Sequence, residues 1–192
     1  MTRTNSAAFP PPGARLELTI RDLSLDGGAM ARHEGGVIFL DQGLPGETVQ
    51  ARVTRIKAGY ALAQVEASLS PSPHERPSFC GNKQCGGCAW TTLDYAAECA
   101  WKDRQLRETL SRLGGLPRSF TEDALRFPAL LPSPASLGYR NKMEFAFAPD
   151  PAASGRALLG LRKRNSREVT AIDECGLASL PVGALLAEVR AW

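Results

Sequence analysis

Leu16-Glu17-Leu18-Thr19-Ile20-Arg21 sets Leu16, Leu18 and Ile20 on one face of an extended chain and Glu17, Thr19 and Arg21 on the other, the two-residue period of a half-buried strand. Asp26-Gly27-Gly28 breaks the pattern. Val37-Ile38-Phe39-Leu40 forms a second apolar run between Gly35-Gly36 and Asp41-Gln42-Gly43, and Leu44-Pro45-Gly46 turns the chain after it. A third strand points Val49, Ala51 and Val53 inward and Gln50, Arg52 and Thr54 outward, before Lys57-Ala58-Gly59 reverses the chain into Tyr60 to Ala67. Short strands packed into roughly sixty residues with Gly-rich turns predict a five-stranded closed barrel of OB type, because closure removes exposed edges.

On either side of this barrel, placed at residues 13–68, the composition changes. Residues 1–12 are rich in Ser, Asn, Thr and Pro without the apolar stretch of a secretory signal, and read as a disordered tail. Leu69-Ser70-Pro71-Ser72-Pro73-His74-Glu75-Arg76-Pro77 is poor in apolar residues and stiffened by three prolines, so residues 69–78 read as a linker.

Beyond it comes Phe79-Cys80-Gly81-Asn82-Lys83-Gln84-Cys85-Gly86-Gly87-Cys88-Ala89-Trp90, with one more cysteine far downstream at Cys175. Three thiols in a Gly-rich loop plus one remote thiol supply the four soft ligands of an iron–sulfur cluster or a structural zinc. Zinc usually takes its ligands as two short knuckles. Three from one loop and one alone favour [4Fe-4S], with Zn as the alternative. Free or disulfide-linked cysteines are the plainer reading, and Cys-Gly-Gly-Cys beside a third Cys argues against it.

One long helix is predicted from Asp94, its N-cap, to Gly114-Gly115, with Tyr95, Cys99, Leu106, Leu110 and Leu113 along one apolar stripe. That stripe makes Cys99 a packed small hydrophobe and not a fifth ligand. Tyr139, Met143, Phe145 and Phe147 then alternate with Arg140, Lys142 and Glu144 as a strand. Leu158 to Arg162 and Glu168 to Asp173 add two more through Arg164-Asn165-Ser166, an antiparallel meander that delivers Cys175. A helix starts at Pro181, in the segment 181–192. The fold class is thus mainly β with α: a barrel, then a small α+β domain with an antiparallel sheet over 79–180.

With 192 residues and a net charge of +3, bulk electrostatics alone do not establish a nucleic-acid partner. Local clusters carry that case: Arg21, Arg32, Arg52, Arg55 and Lys57 on the barrel, and Arg140, Lys142, Arg162, Lys163 and Arg164 near the meander, where Arg167 lies close by. Ordinary solvated charge is the competing reading for both groups. His33 has no partner at ligand spacing.

Gly13 to Ser68, through Leu18-Thr19-Ile20, Gly27-Gly28, Ala31-Arg32, Gly36-Val37-Ile38-Phe39 and Leu44-Pro45-Gly46-Glu47, resembles a TRAM domain, which implies RNA binding. Adding the cysteine loop, its helix, Tyr139-Arg140-Asn141-Lys142-Met143-Glu144-Phe145 and Asp173-Glu174-Cys175, the chain from about residue 13 to 192 resembles the RNA uracil-C5 methyltransferases that make 5-methyluridine. The resemblance implies cluster ligands at Cys80, Cys85, Cys88 and Cys175, although the family's first interval is commonly five residues and is four here. It also implies a C-terminal domain that binds S-adenosylmethionine and supplies the catalytic groups. No such domain is legible here, so no catalytic residue is named and the chain alone is expected to transfer no methyl group. The implied setting is a cytoplasmic monomer that binds ribosomal or transfer RNA, away from membranes. A free-standing RNA-binding module with a structural metal, or a redox- or zinc-dependent regulator, are the alternative functions.

Overall fold

The computed structural model describes residues 9–152, 155–164 and 166–191. Residues 1–8 of the expected tail, Asn165 of the expected turn and Trp192 of the last helix lie outside them. Five strands, β1 (Arg15–Leu23), β2 (Ala29–His33), β3 (Gly36–Leu40), β4 (Thr48–Lys57) and β5 (Tyr60–Ser70), close into a barrel in the order β1-β2-β3-β5-β4. Only β3 and β5 run parallel.

The barrel interior is Leu18, Ile20, Ala29, Ala31, Ile38, Leu40, Val49, Ala51, Ala61 and Ala63. Half of these are alanines, which lets so few strands close around a filled centre. Two of them explain a strand that pattern reading passed over. Ala29 and Ala31 point inward and Met30 and Arg32 outward in β2, but alanine carries too weak a hydrophobic signal to declare a strand.

The alternation in β4 breaks once. Val53 pairs with Ala63 and Arg55 with Leu62, so Thr54 is an extra residue in the ladder. A bulge of this kind reverses which face the following residues occupy. Strict alternation from Val49 sends Arg55 into the barrel; the bulge turns Arg55 and Lys57 outward and leaves Ile56 beside Ala61.

Helix α1 (Tyr95–Arg112) begins where expected, with the Asp94 carboxylate accepting from Ala96 N at 3.0 Å and Ala97 N at 3.2 Å. Asp94→Ala should cost about 1 kcal/mol, read as a lower denaturant midpoint at unchanged slope. The packed face differs from the apolar stripe. Leu106 is 47% and Leu113 83% exposed. Ala97 is buried instead, Trp101 Nε1 donates to Asp22 Oδ1 at 2.9 Å, Arg104 pairs with the same carboxylate, and Gln105 Nε2 donates to Leu23 O at 2.8 Å. The helix is therefore held to β1 by hydrogen-bonding side chains at positions 101, 104 and 105, which an apolar periodicity does not reveal.

Downstream, α2 (Arg118–Thr121) and the segment to Leu130 fold back on α1 through Arg107, which donates to Asp103 Oδ2 at 2.6 Å and to the Phe127 and Pro128 carbonyls at 3.1 and 3.2 Å. The Arg107 hydrogen bond holds the Asp103 carboxyl below its usual range, so this clamp is intact at neutral pH and weakens as pH falls through that lowered value.

These pieces form one compact unit, the chain through Arg76 together with Thr92–Leu130. Residues 69–76 of the segment expected as a linker are docked within it. β5 continues to Ser70, the buried Ser72 hydroxyl donates to Pro45 O at 2.5 Å, and Pro73 lies so near Gly46 that a Cβ there would meet its Cδ at 2.6 Å. Proline stiffness and one hydroxyl do here what apolar side chains do elsewhere.

The second unit comprises Pro77–Thr91 and the chain from Leu131 onward. It contains an antiparallel sheet of β6 (Ala146–Pro149), β7 (Ala157–Arg162) and β8 (Val169–Ala171), in that order, and α3 (Leu180–Ala191). Leu159, Ile172 and Leu186 are its core. The strand expected from Tyr139 begins only at Ala146, because Arg140 leaves the meander to bridge Ala178. No helix among the described residues is long and apolar enough to cross a membrane.

Candidate functional site

The cysteine loop is anchored from three directions. Asn82 Oδ1 accepts from Gln84 N at 3.0 Å and Cys85 N at 3.1 Å, while its Nδ2 donates to Ala171 O at 2.9 Å. Cys85 bridges Lys163, and Gly86 N donates to Arg162 O at 2.9 Å. A Cβ on Gly86 would sit 3.0 Å from the Arg164 backbone, a contact tight enough that the end of β7 would have to give way. The Arg164 guanidinium donates to Cys88 O at 2.7 Å, and Gly87 N donates to Cys85 Sγ at 3.4 Å.

Arg140 joins this loop to the fourth cysteine. Its own N donates to Leu177 O at 2.8 Å and its carbonyl accepts from Ser179 N at 2.9 Å, in the turn where Ala178 N bonds Cys175 O. Its guanidinium reaches across to Gly87 O at 3.3 Å. Backbone on one side and side chain on the other, one residue spans the three-thiol loop and the remote thiol.

All five cysteines are free thiols. Burial pushes the Cys88 thiol up; the Arg140 charge opposes this, and Cys175, Cys85 and Cys80 each add to the rise. Those three thiols belong to the same unit as Cys88. Among the described residues, however, no three His, Cys, Asp or Glu side chains are near enough together to hold a metal ion. The donor set of four thiols is that of a soft metal. Trp90, two residues past Cys88, buries its indole N–H without an acceptor among the described residues, a spare donor beside a sulfur-rich loop. Cys99 lies on α1, in the other unit, and is not among the groups acting on Cys88.

The basic residues divide by what they already hold. Arg52 pairs with Glu66 and Gln64, and Arg15 shares Glu66, whose carboxyl those hydrogen bonds hold low. Lys142 pairs with Glu144 at 3.1 Å, Lys163 with Glu168 at 2.9 Å, and Arg162 Nη1 donates to Arg167 O at 3.1 Å. Arg140 and Arg164 are turned onto carbonyls of the cysteine loop. Arg21, Arg32, Arg55 and Lys57 are exposed and have no such internal partner among the described residues. His33 lies 3.9 Å from Glu34. Sequence reading singled out the four thiols as expected ligands but neither Asn82 nor the bridging role of Arg140; the available signal was an Asx residue ahead of a cysteine in a Gly-rich loop.

Comparison with known proteins agrees with this architecture. Residues 12–65 match the TRAM domain model. A Nitratidesulfovibrio vulgaris protein named as an uncharacterized RNA methyltransferase is 40% identical over 166 residues, 86% of this chain and 34% of the relative. A Synechocystis protein of the same description is 35% identical over 194 residues, 99% of this chain and 40% of the relative. The chain thus spans only about a third to two fifths of their length. Among solved structures, Pyrococcus abyssi tRNA (uracil-54, C5)-methyltransferase shares the fold, with TM-score 0.58 and 22% identity over 91% of this chain and 36% of that one. Residues 12–65 are a TRAM domain, and the chain that carries it is a homologue of proteins named RNA methyltransferases.

Proposed function

We propose that this chain is the RNA-recognising N-terminal part of an S-adenosylmethionine-dependent RNA (uracil-C5) methyltransferase acting on ribosomal or transfer RNA. The observation that carries the reading is the coexistence, in a homologue of RNA methyltransferases, of a TRAM barrel and a three-cysteine loop that Arg140 joins to the turn following Cys175. Cys80, Cys85, Cys88 and Cys175 would hold a [4Fe-4S] cluster. When bound, that cluster supplies a covalent cross-link between the loop and the Cys175 turn. Asn82, Arg140 and Arg164 would orient the loop for it.

Methyl transfer to uracil C5 needs a nucleophile at C6, a bound donor and a base aligned around one extruded nucleotide. The barrel and the cysteine unit supply RNA binding and rigidity, and the remaining length of the relatives is where those groups belong. The test supplies methyl-labelled S-adenosylmethionine and uridine-containing RNA to the 192-residue chain, with and without the remaining part of a relative's chain. Label should enter uridine only when that part is added. Label in uridine with the isolated chain, or in another nucleotide with the complete pair, would overturn the assignment.

A further inference from the structure

The outer face of the barrel across β2, β3, β5 and β4 carries aromatic rings and cations side by side. Strand register lays Arg32, Val37, Tyr60 and Lys57 side by side in one row, and Met30, Phe39, Leu62 and Arg55 in the next. Their inward neighbours Ala31, Ile38, Ala61 and Ala63 are buried, so these two rows face out. Phe39 and Tyr60 meet edge to face, with ring centroids 5.4 Å apart and planes at 84°. Tyr60 is 36% exposed. Neither row contains a carboxylate. Arg32 guards one end of the patch and Arg55 and Lys57 the other, all three exposed and with no internal ion pair among the described residues. The Thr54 bulge is what brings Arg55 to this side.

We propose that this face is a stacking platform for unpaired bases of an RNA strand: Phe39 and Tyr60 each take one base, while Arg32, Arg55 and Lys57 carry the phosphates between and beyond them. It deepens the RNA-recognition reading above and rests on it. An edge-to-face aromatic pair leaves ring surface for a flat partner, and bases present the flat π-faces that such rings accept in a sequence-tolerant way. Cations without internal partners attract a polyanion. The combination of rings and cations selects a strand whose bases are free over a duplex, in which the bases are already stacked on each other.

The experiment titrates the full chain against a short fluorescein-labelled oligouridine, the same length of abasic ribose-phosphate chain, a duplex RNA and polyglutamate, across a salt series. Phe39→Leu with Tyr60→Leu keeps an apolar surface and should weaken oligouridine binding by about tenfold or more while leaving abasic-chain binding and the salt slope unchanged. Arg32→Gln, Arg55→Gln and Lys57→Gln together should lower the slope by about two, at roughly 0.7 for each phosphate no longer neutralised. Tyr60→Phe should bind as wild type, and it decides the matter if the double variant does not fold: a loss as large as that expected of the double variant would show that the ring is not used for stacking. Unchanged oligouridine affinity in a folded double variant, or polyglutamate displacing oligouridine as well as RNA does, overturns the platform while leaving RNA recognition standing. Failure of the wild-type chain to bind any RNA sinks both.

Discussion

Cys175→Ser should strip the metal from this protein, whereas Cys99→Ser should leave it in place. Anaerobically prepared wild type is expected to be brown and to contain about four iron and four sulfide per chain, the stoichiometry of a cubane held by four thiolates. Cys175 lies in a turn stitched to the segment around Arg140 by three backbone bonds, from Arg140 N to Leu177 O, from Ser179 N to Arg140 O and from Gly138 N to Gly176 O. Serine keeps that backbone and removes only the soft donor, so the variant isolates ligation from folding. Cys99 is partly buried on α1, and its replacement costs only packing, about 1 kcal/mol. The measurement is iron, sulfide and zinc per chain together with the rate of iron loss to a chelator. Equal iron loss in both variants would mean that the fourth donor is misassigned, and one zinc without sulfide in wild type would replace the cluster by a zinc knuckle.

The largest stability effect is expected at Gly160. It sits in β7 opposite Ala171, and a Cβ there would stand 1.9 Å from Thr170 O and 2.7 Å from Thr170 C, both backbone atoms that no rotamer can clear. Gly160→Ala therefore has to part β7 from β8 and should cost about 3 kcal/mol or more. Because Cys85 and Gly86 lean on Lys163 and Arg162, and Asn82 on Ala171, iron loss should quicken in the same variant. Gly183, within α3, has nothing within reach of an added Cβ, and Gly183→Ala should stabilise by about 0.5–1 kcal/mol through helix propensity. Calorimetric melts of the pair give shifts of opposite sign; a Gly160→Ala protein that melts with wild type would show that the sheet pairing yields without penalty.

Strands with branched or large inward residues were legible, and so was the Asp94 cap, because both depend on side chains whose preferences act within a few residues. β2 was not, since two alanines give no pattern strong enough to distinguish strand from loop. Nor was the Thr54 bulge, a property of two paired strands that decides where Arg55 points. The apolar stripe misjudged α1 because Trp101, Arg104 and Gln105 bind β1 through hydrogen bonds. The thiols could be counted from spacing, but which residue joins loop to turn required knowing that Arg140 bridges Ala178. Density of basic residues pointed to residues 162–164, and that their side chains have internal partners is a property of the folded turn which density does not carry.

The first unit is built from two stretches of chain, and the cysteine loop leaves and returns at a stem where Arg76 N bonds Thr92 O at 2.7 Å and Glu75 bridges Leu93. On a ribosome this fixes an order of events. Cys80, Cys85 and Cys88 emerge before Leu130 completes the first unit, and Cys175 emerges after. During that interval the three thiols of the loop are present and Cys175 is not. On the proposed ligand set, the centre can load only once synthesis has passed Cys175.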